Sequence, residues 1–303
     1  MIKLIVCMLL IQGILSADSK KSEILELIQV NDKVWAIVGP LTGRTAKNLA
    51  NNASFGFVVT SQGIVLIDSG GSLKGAKEIH RLIKSVSSKA IKFVINTGVQ
   101  DHRWLGNDYF KKQGAQIIAS KKAVKGQGKY FDNQYAKLHY LLKEENIKGT
   151  LAYYAQTVFS KHHSFTLGNT SFELYFEGGG HTMGDIFVHL PKEKIIFSGD
   201  IVYTQRLLSI GANSNTQEWL NSFETLARLK PDIIIPGHGK PTTLKKATKE
   251  TYDYLIYLRT QAEELDDIAD TKKIDQSQFS HLYNYKALKD KNAQRVFIEM
   301  QWE

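Results

Sequence analysis

The sequence predicts an α/β protein: two mixed β-sheets packed face to face, with helices on both outer faces, an αββα sandwich. Three observations predict it. Strand-like runs pair up over residues 24–68 and lead through a helix into a buried strand. A second strand-rich stretch opens at residue 164 and again leads through a helix into a buried strand. The chain of 303 residues, 43% of them hydrophobic, is long enough to bury a full core.

The first residues stand apart from that core. Met1-Ile2-Lys3 gives a positive start, residues 4–15 an apolar run broken only by Gln12 and Gly13, and Ser16-Ala17 a small-residue cleavage point. This pattern reads as a secretory signal peptide over residues 1–17, with a periplasmic or secreted mature protein over 18–303. An uncleaved anchor is the other reading, but a membrane span takes about 20 residues, so no stable span is expected after cleavage. Cys7 is the only cysteine, and cleavage would leave a protein with no thiol for a disulfide, a metal or nucleophilic attack.

Strands are expected at 24–30 and 34–38, separated by the turn residues Asn31-Asp32, and at 55–60 and 64–68 around Ser61-Gln62-Gly63. Residues 39–52, rich in Gly, Thr and Asn, read as a loop. Ser72 caps a helix whose Leu73, Ala76, Ile79, Leu82, Ile83 and Val86 recur at helical spacing. Residues 91–95 form a buried strand, 104–113 a helix, 115–119 a strand, and about 121–156 a mostly helical insertion.

In that insertion Tyr135, Leu138, Leu142 and Ile147 read as packing residues, and His139, His162 and His163, which belong to or flank it, as structural or solvated. Strands follow at 164–167, 171–176, 185–190 and 194–197. A helix opens at Asn215 or Thr216, a buried strand covers 233–235, and residues 243–303 form a helical extension with Leu255, Leu258, Ala262 and Leu265 as its stripe.

The net charge is +9, and +8 without residues 1–17, from 38 Lys and Arg against 30 Asp and Glu. The lysines are dispersed and no basic tract with interleaved aromatics occurs, so nucleic acid is not an expected partner. A small-molecule substrate is.

Four stretches carry the chemistry: Asn96-Thr97-Gly98-Val99-Gln100-Asp101-His102-Arg103-Trp104-Leu105-Gly106-Asn107, Gly180-His181-Thr182-Met183-Gly184-Asp185, Phe197-Ser198-Gly199-Asp200 and Pro236-Gly237-His238-Gly239. Each sits where a strand ends, the usual place for a ligand in an α/β sheet. His181, Asp200 and His238 each adjoin a glycine, which permits close packing of backbone around an ion. Imidazoles and carboxylates arriving from separate strand ends are what a zinc site with an open position needs.

In order and spacing these stretches resemble the metallo-β-lactamase-fold hydrolases across roughly residues 56–238. The resemblance implies the αββα fold and a metal-dependent hydrolase acting on an ester, amide or related small substrate. In the family the first stretch reads Asn-Thr-His-x-His-x-Asp-His-x-Gly-Gly-Asn. Anchored on Asn96-Thr97 and Gly106-Asn107, Gly98 and Gln100 stand where the first two histidines belong, His102 at the aspartate and Arg103 at the last histidine.

Carried over residue by residue, the first metal cage keeps only His181, with Gln100 a poor ligand, so one ion is expected rather than two. The second cage becomes His102, Asp200 and His238. If the loop is shifted by one residue, Asp101 is the ligand instead of His102. Asp68 is implied to buttress the metal-binding loop by hydrogen bonding. Asp101 or Asp200 is expected to steer the proton as hydroxide attacks the electrophile. Arg103, always protonated, pairs with an acid or orients an anionic substrate.

Gly43-Arg44-Thr45, Asp68-Ser69-Gly70-Gly71-Ser72 and Trp104-Leu105-Gly106-Asn107 are similar to one branch of the family. Its members are periplasmic zinc metallohydrolase-like proteins associated with quinoprotein-relay or sulfur-oxidation systems. Gly98 and Gln100, standing where two of the first cage's three ligands belong, keep a second reading open, a catalytically degenerate member that binds a metal, ligand or partner.

Overall fold

Residues 24–303 are described in the computed structural model, so the signal-peptide reading and Cys7 lie outside the described residues. Asn31 turns the chain between β1 (Glu26–Gln29) and β2 (Val34–Val38), its Oδ1 accepting from the backbone N–H of Lys33 and Val34. β3 (Ser54–Thr60) and β4 (Gly63–Ile67) form the next hairpin. Ser72 then caps α1 (Leu73–Val86) by accepting from Gly75 N, as its position predicts.

β5 (Ile91–Asn96) returns parallel to β4. The short α2 (Asp101–Trp104) and α3 (Asn107–Lys112) lead to β6 (Gln116–Ser120), and α4 (Lys121–Leu142) and α5 (Glu144–Ile147) to β7 (Thr157–Phe159), each strand parallel to the one before. These seven strands form one sheet in chain order.

The second sheet has the order β12-β11-β10-β9-β8, from β8 (His162–Leu167), β9 (Thr170–Tyr175), β10 (Phe187–Leu190), β11 (Ile195–Tyr203) and β12 (Ile233–His238). Its pairs are antiparallel except β11 with β12, which α6 (Thr216–Arg228) connects. Beyond it lie α7 (Leu244–Ala247), a π-turn over Thr248–Tyr252, α8 (Asp253–Glu263) and α9 (Tyr285–Met300).

Three apolar layers make the sandwich. Val58, Val65 and Ile95 of the first sheet meet Phe172, Val188 and Phe197 of the second. Ile79, Leu82 and Ile83 of α1 cover the first sheet's other face against Leu66 and Val94. Trp219, Phe223, Leu255 and Val296 of the helices α6, α8 and α9 cover the second against Ile196 and Ile234. The mixed sheets and helical faces are those expected, because each strand alternates or runs apolar according to whether one or both faces are covered. No helix among the described residues is long and apolar enough to cross a membrane.

Three boundaries differ from the sequence reading. The strand expected to stop at 197 continues to Tyr203, with register shifts on either side of Gly199; the polar Ser198-Gly199-Asp200 hid a buried strand that bulges. The helix expected over 104–113 is two helices broken at Leu105 and Gly106. The strand expected to open at Ser164 begins at His162, so His162 and His163 lie in β8, and the short β7 before it gave no periodic signal.

Candidate metal centre

The site forms at one edge of the sandwich, where the ends of β4, β5 and β12 meet the bulge in β11. Asp68 follows β4 and holds a left-handed φ of 63°, unusual for a residue with a side chain. Its carboxylate makes that conformation worthwhile: Oδ1 accepts from Thr97 N at 2.7 Å, and Oδ2 from Thr97 Oγ1 at 2.7 Å and Arg103 Nη1 at 2.9 Å. Asp68 thus fixes the loop after β5. Gly199, φ 50°, lies under the same loop, where a Cβ would meet Thr97 Oγ1 at 2.5 Å.

Arg103 is fully buried below this loop. Nη1 also donates to Ser54 O at 3.0 Å, Nη2 to Asp200 Oδ1 at 2.6 Å and Gly237 O at 3.0 Å, and Nε to Asp200 Oδ2 at 3.3 Å. A guanidinium has five N–H groups, and all are engaged. Arg103 therefore pairs with acids, and the expectation that it orients a substrate is corrected: it has no surface and no spare donor to offer one. Despite the burial that opposes its charge, the two aspartates raise its pKa. Burial pushes Asp200 up and Arg103 more than reverses this, with further lowering from His102 and His238, so Asp200 stays well below the usual carboxylate range. In Asp68, burial prevails over Arg103 and Thr97, and its pKa is raised.

Above Asp200 stand two imidazoles. His238 Nε2 is 3.4 Å from Asp200 Oδ1, His102 Nε2 is 3.7 Å from Asp200 Oδ2, and the rings meet edge to face at 5.5 Å. One ligand atom from each of the three residues lies within 4.8 Å of the other two. His102 Nε2 is buried with no hydrogen-bond partner. Zinc with bonds of 2.0–2.1 Å to nitrogen separates tetrahedral ligand atoms by about 3.3 Å, so spacing, donor types and the orphaned Nε2 all fit a divalent ion held by His102, Asp200 and His238. A carboxylate oxygen has two acceptor directions, which lets Arg103 occupy one side of Asp200 and leave the other open.

His181, expected as a further ligand, is not in this group. Its Nδ1 is 2.8 Å from Ser209 O, which makes that nitrogen the donor, and Gln100 Nε2 approaches its Nε2 at 2.5 Å. A hydrogen bond closes the place where the family's first ion would sit. Burial, only partly offset by Asp200, lowers the His181 pKa to about 4. Gly98 is filled from elsewhere: a Cβ there would meet Asp185 Oδ1 at 2.6 Å. Asp185, fully buried on Thr182 N, was not singled out from the sequence; burial, then the Asp200 charge, raises its pKa well above the ordinary value.

Asp101 is outside the cluster too, which places His102 and not its neighbour among the candidate ligands. Its Oδ1 accepts from Arg44 Nε at 2.5 Å and from His102 N at 2.7 Å. Burial would raise it, but the Arg44 charge and the His102 bond hold its pKa at about 2, too weak a base to take a proton at neutral pH; that part of the expectation is corrected. Arg44 also reaches Gln100 Oε1 at 2.9 Å and His102 Nδ1 at 2.8 Å. Its site role is not legible in the sequence, because a lone arginine in a Gly- and Asn-rich loop is a weak signal.

The insertion supports the loop from the other side. Gln127 Nε2 donates to Gly98 O and Gln134 Nε2 to Val99 O, while Leu138, Leu142 and Ile147 pack with Trp104. His139 is exposed beside Glu144. A cavity of about 400 Å³ opens beside His238 and His181, lined also by Tyr203, Arg206, Lys137 and Arg44.

A two-sheet sandwich with a His-Asp-His cluster at the ends of its strands defines a class of metal-site α/β hydrolase folds. The profile described as "Metallo-beta-lactamase superfamily" matches residues 50–238, and the chain belongs to that superfamily. It is 24% identical over 228 residues to "Metallo-beta-lactamase type 2" of Elizabethkingia meningoseptica, covering 74% of this chain and 82% of that protein. With the protein of the same description from Bacillus sp. (strain 170) it shares 28% over 223 residues, 71% of this chain and 77% of that one. Among solved structures, "Metallo-beta-lactamase from Pontibacter korlensis" is similar in fold with a TM-score of 0.59 at 24% identity, over 77% of this chain and 99% of that one. The metallo-beta-lactamase IND-7 is similar with a TM-score of 0.60 at 18% identity, over 78% and 100%.

Proposed function

We propose that the protein is a mononuclear, zinc-dependent hydrolase of a small ester, amide or related substrate, working in the periplasm. The observation that carries this is the His102 Nε2 lone position facing Asp200 and His238 at ligand spacing. When bound there, a divalent ion supplies a hydroxide nucleophile near neutral pH and polarises the electrophile. The chain's own residues do the rest. Arg103 and Asp68 hold Asp200 and the loop after β5 rigid, and Asp200, kept well below the usual carboxylate range, serves as a ligand and not as the base.

The cavity beside the cluster has three cationic side chains, Arg44, Lys137 and Arg206, and no carboxylate in its lining. That lining suits a substrate carrying an anionic group. The leader pattern supports the compartment, and the three short stretches named above support kinship with the periplasmic zinc metallohydrolase-like branch.

A second reading has its own observation: Gln100 bonded to His181, with Asp185 in the space at Gly98, abolishes the first cage, as in a non-catalytic descendant that retains one binding site. The test is His238→Ala, assayed for zinc content and for turnover of aryl esters and a chromogenic cephalosporin. The enzyme reading expects one zinc and turnover in the native protein, both lost in the variant. Zinc without turnover on a broad panel favours the binding protein, and turnover surviving the substitution overturns the site.

A further inference from the structure

We propose that Arg44 competes with the metal ion for His102, so that the loop between β2 and β3 sets the protein's metal affinity. The inference rests on the single-ion reading above and concerns a residue outside the ligand set.

Its basis is the count of donors and acceptors. Arg44 Nη2 lies 2.8 Å from His102 Nδ1. A guanidinium has no acceptor and does not deprotonate, so Nδ1 accepts, and the neutral ring carries its hydrogen on Nε2. That nitrogen is the one turned toward Asp200 and His238, and it has no hydrogen-bond partner. To bind an ion Nε2 must present its lone pair, which moves the ring hydrogen to Nδ1. Nδ1–H cannot face an arginine N–H, so the contact with Arg44 and a ligand bond from His102 exclude each other.

The replacement partner is already in place. Asp101 Oδ1 lies 3.4 Å from His102 Nδ1, and a metal-bound histidine ordinarily donates its other N–H to a carboxylate. Asp101 is at present held by Arg44 Nε at 2.5 Å. His102, Asp101 and Arg44 therefore have two complete bonding patterns: one with Arg44 on Nδ1, and one with Asp101 on Nδ1 and Nε2 free for an ion.

The backbone carrying Arg44 is firmly held. Asn48 Nδ2 donates to Gly43 O, Asn48 Oδ1 accepts from Thr45 N, and Asn52 Nδ2 donates to Thr42 O. The exchange thus belongs to the arginine side chain, which has one face on the cavity. A charge-assisted hydrogen bond corresponds to roughly a 10- to 100-fold change in an equilibrium constant, and the same factor applies in both directions, Arg44 against the ion and the ion against Arg44.

The experiment measures the zinc dissociation constant by chelator competition in the full mature chain, with Zn²⁺ alone as probe, alongside the His102 ring tautomer by nitrogen-15 NMR. Arg44→Met is expected to bind zinc about tenfold or more tightly. Arg44→Lys keeps the charge but cannot span Asp101 and His102 together, and is expected to tighten binding as well, which separates the hydrogen bond from simple charge repulsion. Asp101→Ala is expected to weaken binding 10- to 100-fold. In the native protein the hydrogen is expected on Nε2 without zinc and on Nδ1 with it.

If Arg44 only props the loop, Arg44→Met weakens zinc or leaves it unchanged while the native protein still binds, and this inference fails alone. A hydrogen on Nδ1 in the zinc-free native protein has the same consequence. If neither the native protein nor Arg44→Met takes zinc, the single-ion reading fails and this inference with it.

Discussion

Replacing Arg103 by methionine keeps most of the side chain's bulk and removes the charge on which two buried carboxylates depend. Asp68 and Asp200 are each only 1% exposed, and Arg103 not at all. Breaking a buried ion pair from one side costs about 3–5 kcal/mol, because the remaining charge stays desolvated and unpaired. Here the Ser54 and Gly237 carbonyls lose a donor as well. Arg103→Met is therefore expected to lose about 5 kcal/mol at neutral pH, against a typical total of about 5–15 kcal/mol, measured as the shift in urea unfolding free energy.

The pH dependence gives a second, independent check. In the native protein Asp200 is held below its ordinary value, so its contribution is present above the unfolded pKa of about 3.9 and is lost as pH falls through the lower folded value. In Arg103→Met burial raises the folded pKa above the unfolded one. Protonation then relieves the variant as pH falls, and the gap to the native protein should narrow between about pH 7 and about pH 5. Arg103→Lys, with three donors on one nitrogen, should recover less than half of the loss. A loss under about 1 kcal/mol, or a gap that does not change with pH, would refute the charge argument.

Restoring the family's histidine does not restore its first metal site. Gly98→His drives a side chain into Asp185 and is expected to cost about 1–3 kcal/mol by overpacking, with zinc stoichiometry by mass spectrometry staying at one even beside Gln100→His; two ions without loss of stability would contradict this. His181, its pKa lowered to about 4 by burial, is neutral when folded and takes up a proton when unfolded near pH 6.5. Its contribution is complete above about pH 6.5 and falls by about 3 kcal/mol as pH drops toward about 4. Urea midpoints across that window should flatten in His181→Gln, and an unchanged slope would show that the proton is taken elsewhere.

The sequence by itself determined the layers of this protein and the residues that could hold an ion. Period-2 and period-3.6 apolar patterns report which faces are covered, and those faces are all a sandwich needs: the spacing in 73–86 is enough to place Ile79 and Leu82 against a sheet. The glycine-flanked His238 and Asp200 were legible for a related reason, since close backbone packing demands glycine locally. What neighbours do at long range left no such trace. Arg103 lies 35 residues from Asp68 and 97 from Asp200, and only the assembled sheets decide that its charge is spent inside the fold rather than on a substrate. The same holds for Gln100 on His181, Asp185 at Gly98 and Arg44 on His102. Side chains from separate strand ends compete there for one small buried volume, and which of them meet is fixed by how the two sheets pack.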